Sequence, residues 1–151
     1  MNKLFMGLAL ALLATSPAVA SDRTDVLGHV RHFVESFNKG DTKAAAAACA
    51  DETSVIDEFP SYAWHGAGAC TKWMEDYDAD AKKNAITDGA VTLGNPRHVD
   101  ITADQAYVVV PASYTYKKKG RPVKETASTF TLVLQRGKEG WRITGWAWAK
   151  N

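Results

Sequence analysis

The sequence lacks an excess of charge of either sign. It contains 18 Lys and Arg residues against 17 Asp and Glu residues, for a net charge of +1. Proteins that bind nucleic acid or an anionic membrane surface usually carry a strongly basic region, so this balance gives no electrostatic argument for either partner. We therefore predict no nucleic-acid partner.

The sequence also lacks the common motifs of phosphate, metal and covalent chemistry. It has no Gly-rich phosphate loop and no Ser-centred nucleophile elbow. His29 and His32 stand three apart, as two ligands of one metal can, but both fall toward the polar side of a predicted helix and nothing nearby supplies a third ligand. We therefore predict no metal site and no cofactor.

No apolar run is long enough to cross a bilayer, which takes roughly 20 residues. The run from Leu4 to Ala14 follows a single lysine and is followed by Pro17 and the small residues Ala18-Val19-Ala20. This pattern is typical of a secretory signal peptide over residues 1–20, with cleavage before Ser21. We expect a periplasmic or secreted protein with no membrane span after cleavage.

Two cysteines, Cys49 and Cys70, lie beyond the predicted cleavage site. In an oxidising compartment they could form a disulfide, which would stabilise the fold by about 3 kcal/mol for a loop of this length. They could equally be buried free thiols that pack as small apolar residues. Both interpretations stay open, because the sequence does not show whether the two Cα atoms lie within about 7 Å of each other.

Apolar residues recur at helical spacing in three segments. Val26 to Phe37 predict an amphipathic helix that ends at Gly40, and the alanine run from Ala44 to Ala48 predicts a second helix after a tight corner. Ala69 to Ala81 predict the third.

The remaining segments are predicted to be β-strands. Thr53 to Phe59 and a short piece through Tyr62 and Trp64 precede the third helix, and strand-like segments fill the chain from Thr87 to Ala149. Helices followed by long antiparallel strands are typical of an α+β fold. We predict one domain, residues 21–151, in which three N-terminal helices pack on a strongly curved antiparallel sheet and leave a concave interior for a ligand.

Several local motifs occur in a distinctive order: Phe37-Asn38-Lys39-Gly40-Asp41, Cys49-Ala50-Asp51-Glu52, Trp64-His65-Gly66 and Gly140-Trp141-Arg142-Ile143. In this order and spacing they resemble the SnoaL-like group of the nuclear transport factor 2 superfamily, over essentially the whole chain after residue 20. The resemblance implies a cone-shaped fold and, as in many relatives, a homodimer. It does not imply one function, because this fold hosts isomerases, dehydratases, cyclases and binding modules.

The ketosteroid-isomerase-like members of that superfamily imply a general base at Asp57, late in the first strand. Those members also use a phenol on the first helix and a second acid on a late strand. The matching positions here hold Phe33 and, on the late strand, Phe130 and Thr131. A base without such donors loses several kcal/mol of catalysis, so a steroid-isomerase mechanism is disfavoured.

Asp57 and His65 are the residues predicted to carry any chemistry. Val55 and Phe59 share a strand face with Asp57, so alternation should point all three into the apolar cup, where burial would raise the pKa of the aspartate. A strand-end carboxylate bonded to a backbone or tyrosine group is the alternative for Asp57. His65 could act as an acid or base beside Asp57, or could be hydrogen-bonded to its own loop.

Aromatic residues are unusually frequent for so small a domain. Some should pack in the core, and a subset should line the mouth of the cone and stack on a flat ligand. The predicted ligand-binding residues are Phe33, Phe59, Tyr62, Trp64, Trp73, Tyr77, Tyr114, Tyr116, Trp146 and Trp148. Alternation places Tyr114 with Tyr116 on one face and Trp146 with Trp148 on one face, without deciding which face is concave.

Two functions of different class follow from these patterns. The first is an exported protein that binds a small apolar molecule and has no chemistry of its own. The second is a cofactor-independent isomerase, dehydratase or cyclase that uses Asp57 as general base.

Overall fold

The computed structural model describes residues 17–151, which form three helices and seven strands. The elements are α1 Pro17–Asn38, α2 Thr42–Ala47, β1 Cys49–Ile56, β2 Ala63–Ala67, α3 Ala69–Lys83, β3 Ile86–Leu93, β4 His98–Thr102, β5 Gln105–Lys118, β6 Arg121–Gly137 and β7 Gly140–Ala149. The predicted signal peptide lies outside the described residues up to residue 16, and residues 17–20 form the start of α1. Within the described part of the chain, no helix is long and apolar enough to cross a membrane.

The corner between α1 and α2 forms for the reasons that the sequence indicated. Gly40 adopts a φ of +69°, which a glycine reaches without steric cost, and its N–H donates to the carbonyl of Phe37 at 2.9 Å. The Asp41 side chain then accepts from the N–H of Ala44 at 3.0 Å and caps α2. The corner turns the buried face of α1, which includes Val30 and Phe33, toward the sheet.

The sheet has the strand order β2-β1-β7-β6-β5-β3, and β4 also pairs with β5. Its strand pairs are antiparallel except for β1 and β7, which run parallel. The predicted sheet is therefore corrected from antiparallel to mixed, whereas the third helix follows β1 and β2 in the predicted order. The parallel pair forms because β7 returns along β6 and comes to lie beside β1, far earlier in the chain.

The sheet bends around the helices at irregular points in its ladders. The pairing of β5 with β6 shifts register between Ala112 and Tyr114, and that of β6 with β7 shifts between Val133 and Leu134. Such bulges bend a strand and increase its local twist. The apolar core fills the concave side, with Val26 and Val30 of α1 and Leu132 of β6 almost fully buried. The curved sheet packed on helices is the predicted α+β architecture.

A disulfide joins Cys49, the first residue of β1, to Cys70 in the first turn of α3. The two Cα atoms are 6.4 Å apart, within the range that a disulfide spans. Of the two interpretations left open by the sequence, the structure contains the bridge, and both residues are buried. The bridge attaches α3 to the sheet at the end of β1 opposite Asp57.

Reduction of this disulfide should lower the free energy of unfolding by about 3 kcal/mol, since the bridged residues are 21 apart and a cross-link of that span restricts the unfolded chain. Urea denaturation with and without dithiothreitol measures the change. The double variant Cys49→Ala/Cys70→Ala should resemble the reduced protein and should not respond to reductant. A double variant as stable as the oxidised protein would show that the bridge contributes nothing.

Candidate functional site

A cavity of about 120 Å³ lies between α1, α3 and the concave face of the sheet. Its wall is mostly aromatic and aliphatic, with a few acidic side chains. The lining residues are Phe33, Val34, Phe37, Asp57, Glu58, Phe59, Trp73, Tyr77, Asp80, Ala81, Ile86, Val91, Tyr114, Tyr116, Glu125, Phe130, Trp146 and Trp148.

Asp57 reaches this wall because it follows the last residue of β1 and continues its alternation. Val55, two residues earlier, is fully buried on the same side. The Asp57 carboxylate accepts from the indole N–H of Trp73 at 2.7 Å through Oδ2, and from the N–H of Glu58 at 2.7 Å through Oδ1. Burial raises the pKa of Asp57 to about 6, against the lowering effect of these two hydrogen bonds. The cavity thus contains a carboxylate that changes charge just below neutral pH.

A tight turn follows Asp57 and ends the strand earlier than the sequence predicted. The N–H of Asp57 donates to the carbonyl of Tyr62 at 3.0 Å, and the N–H of Tyr62 donates to the carbonyl of Phe59 at 2.8 Å. This turn brings Phe59 into the cavity wall. Tyr62 has a φ of +70° at the tip and is 57% exposed, so it is not part of the wall, contrary to the prediction.

Trp64 and His65 are also placed elsewhere than predicted. Trp64 is buried beneath the wall, 5.1 Å from Phe59 between ring centroids, and its indole N–H donates to Asp76 of α3 at 2.9 Å. His65 is the next residue of β2, so its side chain points to the opposite face, where it is exposed. His65 therefore does not lie in the cavity with Asp57, and an acid–base pair of these two residues is not formed.

The other predicted ligand-binding residues share the cavity wall: Phe33, Phe59, Trp73, Tyr77, Tyr114, Tyr116, Trp146 and Trp148. Their rings also pack on one another. Trp73 meets Trp146 nearly perpendicularly with centroids 4.7 Å apart, and Tyr114 stacks on Tyr116 at 4.8 Å. Such contacts fix ring orientation, so the wall keeps its shape without a ligand. Phe37 and Phe130 line the same wall and were not among the predicted residues.

Two phenols meet at one side of the cavity. The hydroxyl oxygens of Tyr77 and Tyr114 are 2.5 Å apart, and burial raises the pKa of each, so both remain protonated at neutral pH. Two hydroxyl groups have two protons, and one of these makes the bond between them. The second O–H can therefore donate to a group in the cavity.

Gly89→Ala should disrupt the tyrosine pair, because the added methyl carbon would lie 2.6 Å from both hydroxyl oxygens. Overpacking of this kind costs about 1–3 kcal/mol, which thermal or urea denaturation would measure. In a Tyr77→Phe/Tyr114→Phe background, which has neither hydroxyl, the same substitution should cost clearly less. Gly28→Ala, at a helix position with nothing within 4 Å, should cause no loss. An equal cost with and without the two hydroxyls would contradict the expected clash.

An acidic cluster at the rim was not predicted from the sequence. Glu125 of β6 accepts through Oε1 from the Tyr116 hydroxyl at 2.9 Å and from the Lys150 ammonium at 2.7 Å. Lys150 also lies 3.4 Å from Glu58 Oε2. Burial, and next the adjacent Glu125, raise the pKa of Glu58 to about 7. Burial opposes ionisation of Glu125 too, but the bonds from Lys150 and Tyr116 outweigh it and lower the pKa of that carboxyl.

Local strand geometry explains why Glu125 faces the cavity. Glu125 and Phe130 are five apart, so uninterrupted alternation would put them on opposite faces of β6. Between them Ala127 has a φ of +62°, and the register shift against β5 falls there. The bulge reverses the alternation and turns both side chains inward.

Among the described residues, no group of three or more His, Cys, Asp or Glu side chains could hold a metal ion. The wall instead combines one deep carboxylate, one phenol pair and an acidic rim inside an apolar cup. A sequence profile of the SnoaL-like domain matches residues 26–147, which include every element from the middle of α1 to β7. The chain belongs to the SnoaL-like domain family.

Several solved structures have the same fold as this SnoaL-like chain. A proposed dehydratase of the nuclear transport factor 2-like family from Streptomyces avermitilis has a TM-score of 0.71 at 18% identity, with 87% of this chain and 98% of that chain covered. A nuclear transport factor 2-like superfamily protein from Salmonella enterica has a TM-score of 0.72 at 15% identity, covering 87% and 92%. A ketosteroid isomerase-like protein from Erwinia carotovora atroseptica has a TM-score of 0.66 at 18% identity, covering 85% and 95%.

At these identities the likeness shows the fold alone. None of the curated proteins compared with the chain matches its sequence. The specific activity of this SnoaL-like domain therefore depends on the residues of its own cavity.

Proposed function

We propose that this SnoaL-like domain binds a small, mostly apolar molecule in the cone cavity, with Asp57 as the polar group that orients it. The observation that supports this most directly is the position of Asp57: a carboxylate held by Trp73 in a wall of aromatic rings. Small-molecule sites commonly combine an apolar cup with a few fixed polar groups.

The space inside the cavity holds about one ring. An engineered apolar cavity of about 150 Å³ holds a benzene molecule, so the 120 Å³ found here fits a single-ring compound or a branched chain of similar bulk. A fused four-ring steroid would have to extend out of this space through the open mouth of the cavity.

Blocking the cavity tests the binding proposal. Ala81 of α3 lines the wall, and Ala81→Phe would fill the space with a ring. Ala79→Phe adds the same ring at an exposed position of the same helix and is the matched control. Native mass spectrometry after incubation with a mixture of single-ring lipophilic compounds should show a ligand on the wild type and on Ala79→Phe, and none on Ala81→Phe. Equal retention by all three proteins would place the binding outside the cavity.

A cofactor-independent isomerase, dehydratase or cyclase is the second candidate, and two observations favour it. The pKa of Asp57 at about 6 suits a general base near neutral pH, since an effective base titrates close to the working pH. The spare O–H of the Tyr77 and Tyr114 pair can donate to an oxygen on which negative charge develops. Phenols on α3 and β5 would thereby supply the donor that Phe33 cannot.

Turnover of the recovered ligand separates the two candidates. An enzyme should convert that compound without added cofactor, and Asp57→Asn should reduce the rate by about 10²–10⁴-fold, as expected for loss of a general base. Tyr77→Phe and Tyr114→Phe should each reduce it less, because one hydroxyl remains. If the wild-type protein does not convert the ligand, the enzyme candidate is wrong and only the binding function remains.

We further propose that the protein is exported, with residues 1–20 removed. Two features support this: the signal-peptide pattern, and a disulfide, which persists mainly in oxidising compartments. Cleavage before Ser21 would remove the first residues of α1 and leave Asp22, which forms an ion pair with Arg136. Intact-mass measurement on protein from the exported fraction should give a chain that begins at Ser21. Recovery of a chain with Met1 retained would contradict export.

A further inference from the structure

The charged residues of the cavity wall all have the same sign. Asp57, Glu58, Asp80 and Glu125 are acidic, and no lysine, arginine or histidine lines the cavity among the described residues. Lys150 lies outside the lining set and is half exposed at the rim, where it pairs with two of these carboxylates. An anionic ligand would meet like charge that this one lysine compensates only in part.

We propose that the cavity takes a small organic cation: a protonated amine on a single-ring or similarly small apolar body, with its ammonium group directed at Asp57 and Glu125. The inference rests on the binding function proposed above and names the chemical class of its ligand.

The aromatic wall favours a cation independently of the carboxylates. An aromatic ring carries negative charge density on its face, and clustered rings attract ammonium groups without a formal ion pair. Tyr114 and Tyr116 form a stacked pair beside Glu125, and Trp73 lies next to Asp57. Aromatic rings and carboxylates thus occur side by side at two points of the wall.

Glu125 also has acceptor capacity that the described residues do not use. Its side chain is only 8% exposed, and both hydrogen bonds from Tyr116 and Lys150 end at Oε1. Oε2 is buried without a hydrogen-bond donor among the described residues, apart from Glu58 when that carboxyl is protonated. An unsatisfied buried acceptor is costly, and an ammonium group in the cavity would supply the missing donor.

Three probes of similar shape and different charge test the class of ligand: benzylammonium, benzyl alcohol and benzoate. Their affinities for the full-length protein would be measured at pH 8 by isothermal titration calorimetry and by quenching of tryptophan fluorescence. We expect benzylammonium to bind at least tenfold more tightly than benzyl alcohol, and benzoate to bind most weakly. The preference should diminish at high salt, because opposite charges are screened.

Charge variants should shift the preference for the cation in opposite directions. Asp57→Asn and Glu125→Gln should each reduce the preference for benzylammonium over benzyl alcohol. Lys150→Gln should increase it by removing a competing cation, an outcome that general damage to the site would not give. Glu139→Gln, an acidic position 87% exposed outside the cavity, should leave the preference unchanged.

Different results would contradict the cation proposal and the binding proposal. Benzyl alcohol binding as tightly as benzylammonium, with Ala81→Phe abolishing both, would overturn the cation proposal and leave a binding cavity in place. No binding of any probe, together with no difference between Ala81→Phe and wild type in the ligand screen, would overturn both.

Discussion

Asp57→Asn should gain stability relative to wild type as the pH rises from 4 to 8, while it impairs the site. The folded-state pKa of Asp57 is raised by burial from 3.8 to about 6. A group whose pKa is raised on folding favours the folded state below its unfolded pKa, and this contribution is lost as the pH rises through the folded value. Above about pH 7 the native protein therefore contains a destabilising buried charge. The difference between the two pKa values corresponds to about 3 kcal/mol.

Urea denaturation of wild type and Asp57→Asn at a series of pH values measures this effect. The amide accepts at only one of the two positions where Glu58 and Trp73 donate, so the variant should be less stable than wild type near pH 3.5. Relative to wild type it should then gain up to about 3 kcal/mol between pH 4 and pH 7. Asp78→Asn, at an exposed position of α3, is the control and should change little at any pH. If the difference in stability between the two proteins did not change with pH, the carboxylate would not be a group maintained at a cost for function.

Phe33→Ala should lower the free energy of unfolding by about 3–5 kcal/mol. Phe33 is 3% exposed, and its ring lies 6.1–6.3 Å from the centroids of Trp73, Phe130 and Trp146. These three rings come from α3, β6 and β7, so the truncation leaves a hole where a helix and two strands meet. The total stability of a domain is only about 5–15 kcal/mol, so the loss of this one ring removes a large part of it.

Denaturation midpoints of Phe33→Ala and of Phe37→Ala would test this prediction. Phe37 lines the same cavity one turn later on α1 but is only partly buried, so its truncation should cost less. Phe33→Leu, which keeps most of the apolar volume, should recover part of the loss. A cost below about 1 kcal/mol for Phe33→Ala would mean that the neighbouring rings collapse into the space.

Helix and strand identity were predictable from the sequence because the periodicities are strong. The buried positions Val26, Val30 and Phe33 repeat at helical spacing, and Gly40 and Asp41 mark the corner by their backbone and capping preferences. Asp57 was predictable for the same reason, as the continuation of an alternating strand. What these signals have in common is that they are local.

The remaining features depend on contacts between distant segments. The parallel pairing of β1 with β7 has no signature in β1, whose polar residues and partly alternating burial suit a neighbouring strand of either direction. Bulges are also not visible in the sequence. The register shift near Ala127 reverses which side chains of β6 face inward, so simple alternation does not predict that Glu125 faces the cavity. His65 was misplaced because the residues before α3 form an edge strand, whose alternation sends Trp64 inward and His65 outward.

The order in which the chain is made determines when the sheet can be completed. β7 lies between β1 and β6, and its pairing with β1 joins Cys49 to Ile143 and Ile56 to Ala147. Contacts over such long sequence separations form slowly, because much of the chain must be brought together first. Until β7 has been synthesised, β1 has an unpaired edge that is open to strands of other molecules. The nascent protein should therefore be most prone to aggregation before its final described strand is available.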